Sequence, residues 1–252
     1  YNDRTYAATY ISYRLGLSGP ALHIDSACSG SAAAIHMACQ SLRTGECRMA
    51  IAGGARVLLP HGLGYLGGEI GVEALDGICR PFDDGAVGTV FGSGAGAVLL
   101  KPLDQALDDG DHIYAVISGS GAANDANHRA GFSAPSVQGQ TKAIRIAWRQ
   151  AAISADDIDY VEAHGTGTKL GDPIEAAALA DALAERENPA PCQIGSVKGN
   201  LGHLSTAAGV VSVIKTALSL SQARIPASAN YTTPNSTIDF EASKLEVVHE
   251  TS

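Results

Sequence analysis

The chain of 252 residues has room for one large domain or two small ones, and its 45% hydrophobic and 17% charged content belongs to an ordinary globular protein. A formal net charge of −9 gives no electrostatic support for binding nucleic acid or an anionic membrane. No apolar run approaches the roughly 18 residues of a membrane span, and five cysteines without a C-x-x-C pair predict neither a disulfide framework nor a metal site, in keeping with a reducing, cytoplasmic compartment.

The first residues, YNDRTYAATYISYRLG, lack the basic and apolar regions of a signal peptide. Their Tyr6, Tyr10, Ile11, Tyr13 and Leu15 predict a helix ending at Gly16. Pro20 to Ile24 then reads as a short buried strand, and the Ala-rich run Ser31 to Arg43 as a helix. Cys28 is thus predicted at a strand-to-helix handover, among the small residues Ala27, Ser29 and Gly30. A thiol at a helix N-terminus faces unpaired N–H groups and the positive end of the dipole, which favour the thiolate. A buried core thiol fits the same stretch, so Cys28 taken alone reads either way.

Met49 to Ala55 predicts a strand of small residues, and the Gly-rich stretch from Pro60 to Gly88 a long ordered loop of the kind that is functional or an interface. The run VFGSGAGAVLLK, from Val90 to Lys101, tempts toward a dinucleotide loop. Its glycines are spaced G-x-G-x-G and lead into a strand, whereas cradling a phosphate requires a helix N-terminus. That reading is rejected. A short helix (Leu103 to Asp109), a strand (Ile113 to Ser118) and an amphipathic helix (Gln138 to Ala152) follow. Next come a strand (Ile158 to Ala163), an Ala-rich helix (Pro173 to Glu187, capped by Asp172) and a strand (Gln193 to Val197). Ser205 to Ser221 predicts a helix apolar enough to be buried on all sides, and Leu245 to Val248 a last strand. Alternating strands and helices predict an α/β fold with a largely parallel sheet.

His164 follows one predicted strand in EAHGTGT, and His203 follows another in KGNLGH. Strand carboxyl ends in open α/β sheets are where ligands bind. Each histidine alone reads more readily as structural, whereas the two taken with Cys28 reverse that reading. Histidines 23, 36, 61, 112, 128 and 249 have no such setting and read as structural or surface.

Five ordered motifs, DSACSGS (Asp25 to Ser31), FGSGAGA (Phe91 to Ala97), EAHGTGT (Glu162 to Thr168), GDPIE (Gly171 to Glu175) and KGNLGH (Lys198 to His203), resemble the ketosynthase domain of type I modular polyketide synthases. The similarity runs along the whole chain, from Tyr1-Asn2-Asp3-Arg4 through Gly45-Glu46-Cys47. Ser26 stands where that family usually has Thr, Gly30 where it has Ser, and Gly199 where Ser or Thr is common. These departures alter the shape of turns and leave the reactive atoms in place. The resemblance implies a thiolase-like layered α-β-α-β-α fold, with mostly parallel mixed sheets around a buried helix layer. It also implies a central piece of such a domain, residues 1–100 belonging to the first half with Cys28 and residues 101–252 to the second with His164 and His203.

The same resemblance implies that Cys28 accepts an acyl group from the phosphopantetheine arm of an acyl carrier protein. His164 and His203 would donate hydrogen bonds to the thioester carbonyl of a malonyl-type extender as it loses CO2. Lys198 would position its neighbours, Thr166 and Thr168 would hydrogen-bond the pantetheine arm, and Asn200 would be a further substrate-binding residue. No cofactor or metal of the domain's own is implied. The implied partners are the carrier protein, a neighbouring acyltransferase domain and a second copy of the chain, which would pair through Arg48 to Leu58. The alternatives are a fatty-acid-type ketosynthase, a decarboxylating loading or non-elongating homologue, a cysteine hydrolase, and a non-catalytic interaction module. Retention of both Cys28 and His164 favours condensation over the loading and non-elongating forms. A hydrolase leaves the second histidine and Lys198 unexplained.

Overall fold

The computed structural model describes residues 3–60, 64, 65, 71–127, 131 and 134–251, so His61 and His128 lie outside the described residues. In chain order the elements are α1 (Ala7–Leu15), α2 (Gly30–Arg43), β1 (Ala50–Arg56), β2 (Gly94–Leu100), α3 (Leu103–Asp108) and α4 (Val137–Ala151). They continue with β3 (Tyr160–Glu162), α5 (Gly171–Ala182), β4 (Cys192–Gly195), α6 (Lys198–Leu201), α7 (Ala208–Gln222) and β5 (Leu245–Val247). The chain packs as two compact units. One comprises Tyr1–Arg56, Gly94–Ile113 and Leu204–Val211; the other comprises Val57–Ser93, Tyr114–His203 and Ser212–Ser252.

In the first unit β1 and β2 form an antiparallel pair in the register Ala50↔Leu100 to Arg56↔Gly94. Small residues allow backbones to close on one another here. A Cβ on Gly54 would lie 2.6 Å from Thr206 O and 2.9 Å from Ser31 Cβ. Ser31 Oγ in turn accepts from Val210 N at 3.0 Å, satisfying one of the N–H groups that the first turn of α7 leaves without an intrahelical partner. Helix α1 ends as the sequence predicts, at Gly16 in the left-handed conformation (φ 65°).

The second unit is built on the parallel sheet β3-β4-β5, in the registers Tyr160↔Gln193 and Cys192↔Leu245. Its core joins Phe82, Ala163, Ala176, Leu179, Leu183, Ile194, Leu245 and Val247, with Ile144 and Trp148 of α4 packed against it. Full burial of side chains such as Phe82, Leu183 and Ile194 contributes about 1.5–3 kcal/mol each. Helix α4 is capped by Ser136, whose hydroxyl accepts from Gly139 N at 3.2 Å, and lies on α5 through the Thr141 hydroxyl, which donates to Ala178 O at 3.1 Å. The described part of the Pro60 to Gly88 stretch carries no helix or extended strand and is tied down by backbone pairs such as Ala74 N to Thr89 O at 2.7 Å.

Four sequence expectations are corrected. Pro20 to Ile24 forms no strand: the segment has no ladder partner among the described residues, and Leu22 is 61% exposed. Ile113 to Ser118 likewise forms no strand among the described residues; the chain just beyond it runs against α4, where a Cβ on Gly119 would meet Ala147 O at 2.2 Å. Asp172 does not cap α5, which starts at Gly171 and stops at Ala182, because its carboxylate turns away to accept from Phe82 N at 2.7 Å. Pro173 is tolerated because it lies in the first turn, where no intrahelical N–H bond is lost. Helix α7 is not buried on all sides. Ala208 and Val210 are buried, while Leu218 and Leu220 are exposed.

Candidate functional site

Strands β3 and β4 are parallel neighbours with Glu162 opposite Gly195, so their carboxyl ends finish level. The chain leaving β3 carries His164, and the chain leaving β4 carries Ser196, Val197 and Lys198 into α6 and on to His203. The two imidazoles meet edge to face, with ring centroids 5.3 Å apart and planes at 88°. His203 is 3% exposed and stacks on the Phe91 ring at 5.3 Å. Its backbone is fixed to the same segment, His203 N donating to Val90 O at 2.6 Å and Gly92 N donating to His203 O at 3.2 Å.

The His164 turn is held from below. The Glu175 carboxylate accepts from His164 N at 2.6 Å and from Gly165 N at 2.7 Å. Asp172 accepts from Thr166 N and Gly167 N, both at 3.1 Å. The Lys198 ammonium donates to His164 O, and Ser196 Oγ donates to Gly165 O at 3.0 Å. Gly165 must be glycine: its φ is +38°, and a Cβ there would lie 2.6 Å from Ser196 Cβ.

Loss of hydration, then the Lys198 charge and His203, push the His164 pKa down to about 3. Part of the His164 residue remains open to solvent, which moderates the shift, and the direction favours a neutral ring at physiological pH. Burial pushes Asp172 up to about 6 against the backbone N–H groups that favour its ionised form. It pushes Glu175 up to about 7 against the two N–H donors it serves. A pair of fixed imidazoles of this kind can donate hydrogen bonds to an oxygen that gains negative charge without delivering a proton to a carbanion.

Of the other predicted residues, Lys198 is 2% exposed and Thr166 is buried, its hydroxyl paired with that of Thr168 at 3.1 Å. Thr168 Oγ1 also accepts from Gly171 N at 3.1 Å, and Asn200 is exposed on α6. Cys28 belongs to the first unit, half-buried in the tight turn that leads into α2. The residue before it, Ala27, has φ +51°, a left-handed conformation costly for a residue with a Cβ. None of the five cysteines is joined in a disulfide. No helix of the described residues is long and apolar enough to cross a membrane.

Residues 2–106 match the beta-ketoacyl synthase N-terminal domain, and residues 114–232 match the beta-ketoacyl synthase C-terminal domain. The chain belongs to the β-ketoacyl synthase family. The chain is 46% identical over 248 residues to a phenolphthiocerol/phthiocerol polyketide synthase subunit of Mycobacterium tuberculosis, covering 98% of the chain and 17% of that relative. It is 46% identical over 238 residues to 6-methylsalicylic acid synthase of Aspergillus niger, covering 93% of the chain and 13% of that protein. Ketosynthase twelve of the bacillaene polyketide synthase from Bacillus amyloliquefaciens superposes with a TM-score of 0.96 at 40% identity, over 99% of this chain and 45% of that one. The fold is therefore the thiolase-like α/β fold of the ketosynthases.

Sequence reasoning named the two histidines and Lys198 but not the carboxylates beneath them. Asp172 was read as a helix cap, and Glu175 was given no role of its own. The available signal was their place in the GDPIE motif, at the start of a helix whose later turns are mostly alanine.

Proposed function

We propose that this β-ketoacyl synthase carries out the decarboxylative Claisen condensation of polyketide assembly. Cys28 takes the acyl chain from a carrier-protein thioester, releasing the carrier thiol and forming an acyl–Cys28 thioester. A malonyl-type extender on the phosphopantetheine arm of a second carrier protein breaks its C–CO2 bond, and the electron pair becomes an enolate. His164 and His203 donate to the enolate oxygen, so they stabilise the transition state more than the ground state. The enolate carbon then attacks the acyl–Cys28 carbonyl, the new C–C bond forms, and the Cys28 thiolate leaves. A thiolate is both a strong nucleophile and a good leaving group, as this two-step use requires. Lys198 positions the His164 turn, Thr166 and Thr168 hydrogen-bond the pantetheine arm, and Asn200 is a further substrate-binding residue.

The observation that carries this reading is the imidazole pair, two rings 5.3 Å apart beyond the level carboxyl ends of β3 and β4. On this reading residues 1–100 and 101–252 are parts of the two halves of one ketosynthase domain. Its partners are the acyl carrier protein, an adjacent acyltransferase domain and a second ketosynthase copy, in the cytoplasm. Cys28→Ala in the intact protein tests the proposal: intact-mass analysis should show no acylation by acyl thioesters, while some malonyl decarboxylation persists. Normal acylation of that variant would place the nucleophile elsewhere and sink the assignment.

A further inference from the structure

Helix α7 carries one charge between Ala207 and Ser221, Lys215, and this charge lies inside the protein. Its ammonium sits 2.6 Å from Glu162 Oε2, with the two side chains 14% and 4% exposed. The Tyr160 hydroxyl donates to the same oxygen at 2.6 Å, and Lys215 donates to Tyr160 Oη at 2.9 Å. The other oxygen, Glu162 Oε1, accepts from Val197 N at 2.7 Å. Glycine at 195 lets this cluster close over the backbone, since a Cβ there would lie 2.9 Å from Tyr160 Oη and 3.5 Å from Lys215 Nζ.

The cluster lies where it matters. Glu162 ends β3, two residues before His164, and Val197 immediately precedes Lys198, which donates to His164 O. Glu162 thus ties the β3 exit to the β4 exit through Val197 N, and Lys198 ties them a second time through His164 O. A buried carboxylate keeps its charge only beside a partner, and Lys215 is that partner.

We infer that Glu162 and Lys215 are a positioning pair that sets His164 and Lys198 for the decarboxylation and condensation steps without touching substrate. The inference rests on the function proposed above and adds residues outside the imidazole pair and the nucleophile. The groups facing the Glu162 carboxylate are Tyr160 from its own strand, Lys215 from α7 and the Val197 N–H from the β4 exit. Lys198 and His164 lie on the two turns it joins.

The test compares Lys215→Met with Lys215→Met/Glu162→Gln in the intact protein. In the single variant, acylation of Cys28 read by intact mass stays at the parent level. Decarboxylation of a malonyl thioester falls by about 10- to 100-fold, the scale set by displacing a reacting group by about 1 Å. In the double variant the glutamine carbonyl still accepts from Val197 N and leaves no buried charge without its counter-ion, so the rate recovers above that of the single variant. Equal losses of acylation and decarboxylation, or a double variant no better than the single one, overturn the inference. Spectra of 15N-histidine-labelled protein read the geometry without turnover. The His164 resonances should shift in the single variant and return toward the parent position in the double, and unchanged resonances overturn the inference. A parent protein that neither acylates Cys28 nor decarboxylates malonyl thioesters refutes the proposed function, while the spectra still decide the positioning pair.

Discussion

Replacing Gly165 by alanine tests how tightly the imidazole turn is built. Two costs are added. The first is conformational: φ is +38°, and a residue with a Cβ loses about 1–2 kcal/mol in the left-handed region. The second is steric. The new Cβ would lie 2.6 Å from Ser196 Cβ and 3.0 Å from both Ser196 Oγ and Phe82 Cε2, against an optimal separation of about 3.5–4.0 Å. Neither neighbour can easily yield, since Phe82 and Ser196 are 0% and 2% exposed. Overpacking of such a site costs about 1–3 kcal/mol. The sum is about 2–5 kcal/mol, a serious part of a total stability of about 5–15 kcal/mol. Relief of the contact requires a shift of about 1 Å, which at an active site costs on the order of 10²-fold in rate. Gly110→Ala is the control, because Gly110 has φ +69° with nothing within 4 Å and so isolates the backbone cost. Urea denaturation and malonyl-thioester decarboxylation, both on the intact protein, read the two effects. If Gly165→Ala matched Gly110→Ala in stability and the parent in rate, the close contact with Ser196 and Phe82 would not constrain the turn.

Three other outcomes are expected. His164→Ala and His203→Ala each leave Cys28 open to acylation while condensation falls on the order of 10²–10³-fold, the usual effect of removing one donor to an oxyanion; a near-parent rate in either variant would make that histidine structural. The His164 imidazole, with its folded pKa pushed from 6.5 to about 3, stays neutral from pH 8 down to 5 by NMR titration. A folded pKa below the unfolded value means that this histidine's contribution to stability is present above about 6.5 and is lost as pH falls toward 3; protonation near 6.5 in the native protein would contradict the site's electrostatics. Ala50→Cys or Ala52→Cys in β1 gives a covalent dimer under mild oxidation of the intact protein, and a strictly monomeric, active protein at micromolar concentration would refute pairing of two copies.

Much of the fold was legible because periodicity and end signals are local. Helix α2 was expected over Ser31 to Arg43 and observed over Gly30–Arg43, and Gly16 ends α1 where the sequence put a stop. The glycine run before Leu99 was recognised as leading into a strand, and it forms β2. Strand formation itself was less legible. Pro20 to Ile24 and Ile113 to Ser118 have the composition of strands, but a strand exists only where another backbone supplies the ladder, and no local pattern encodes the partner. The limits of α5 were misjudged for a related reason. Asp172 has the chemistry of a cap and sits where a cap would, yet the N–H groups it serves belong to residues 82, 166 and 167.

In the candidate site, the histidines after strand ends and the cysteine among small residues carry their own chemical reasons, whereas Lys198, Thr166, Thr168 and Asn200 come only with the family resemblance. The supporting carboxylates stand in the GDPIE motif, but their role is not legible there, because their partners are backbone N–H groups that no side-chain pattern identifies. Lys215 was the exception that went unread. The helix that carries it has no other charge from Ala207 to Ser221, and an ammonium only 14% exposed calls for a counter-ion. Nothing in the sequence singles out Glu162 among the 26 acidic residues. The structure joins the two at 2.6 Å and adds the second contact, Glu162 to Val197 N, that no pairwise charge argument reaches. Local polarity that looks wasteful in an apolar segment is therefore the strongest pointer from such a sequence to the groups that hold a site in place.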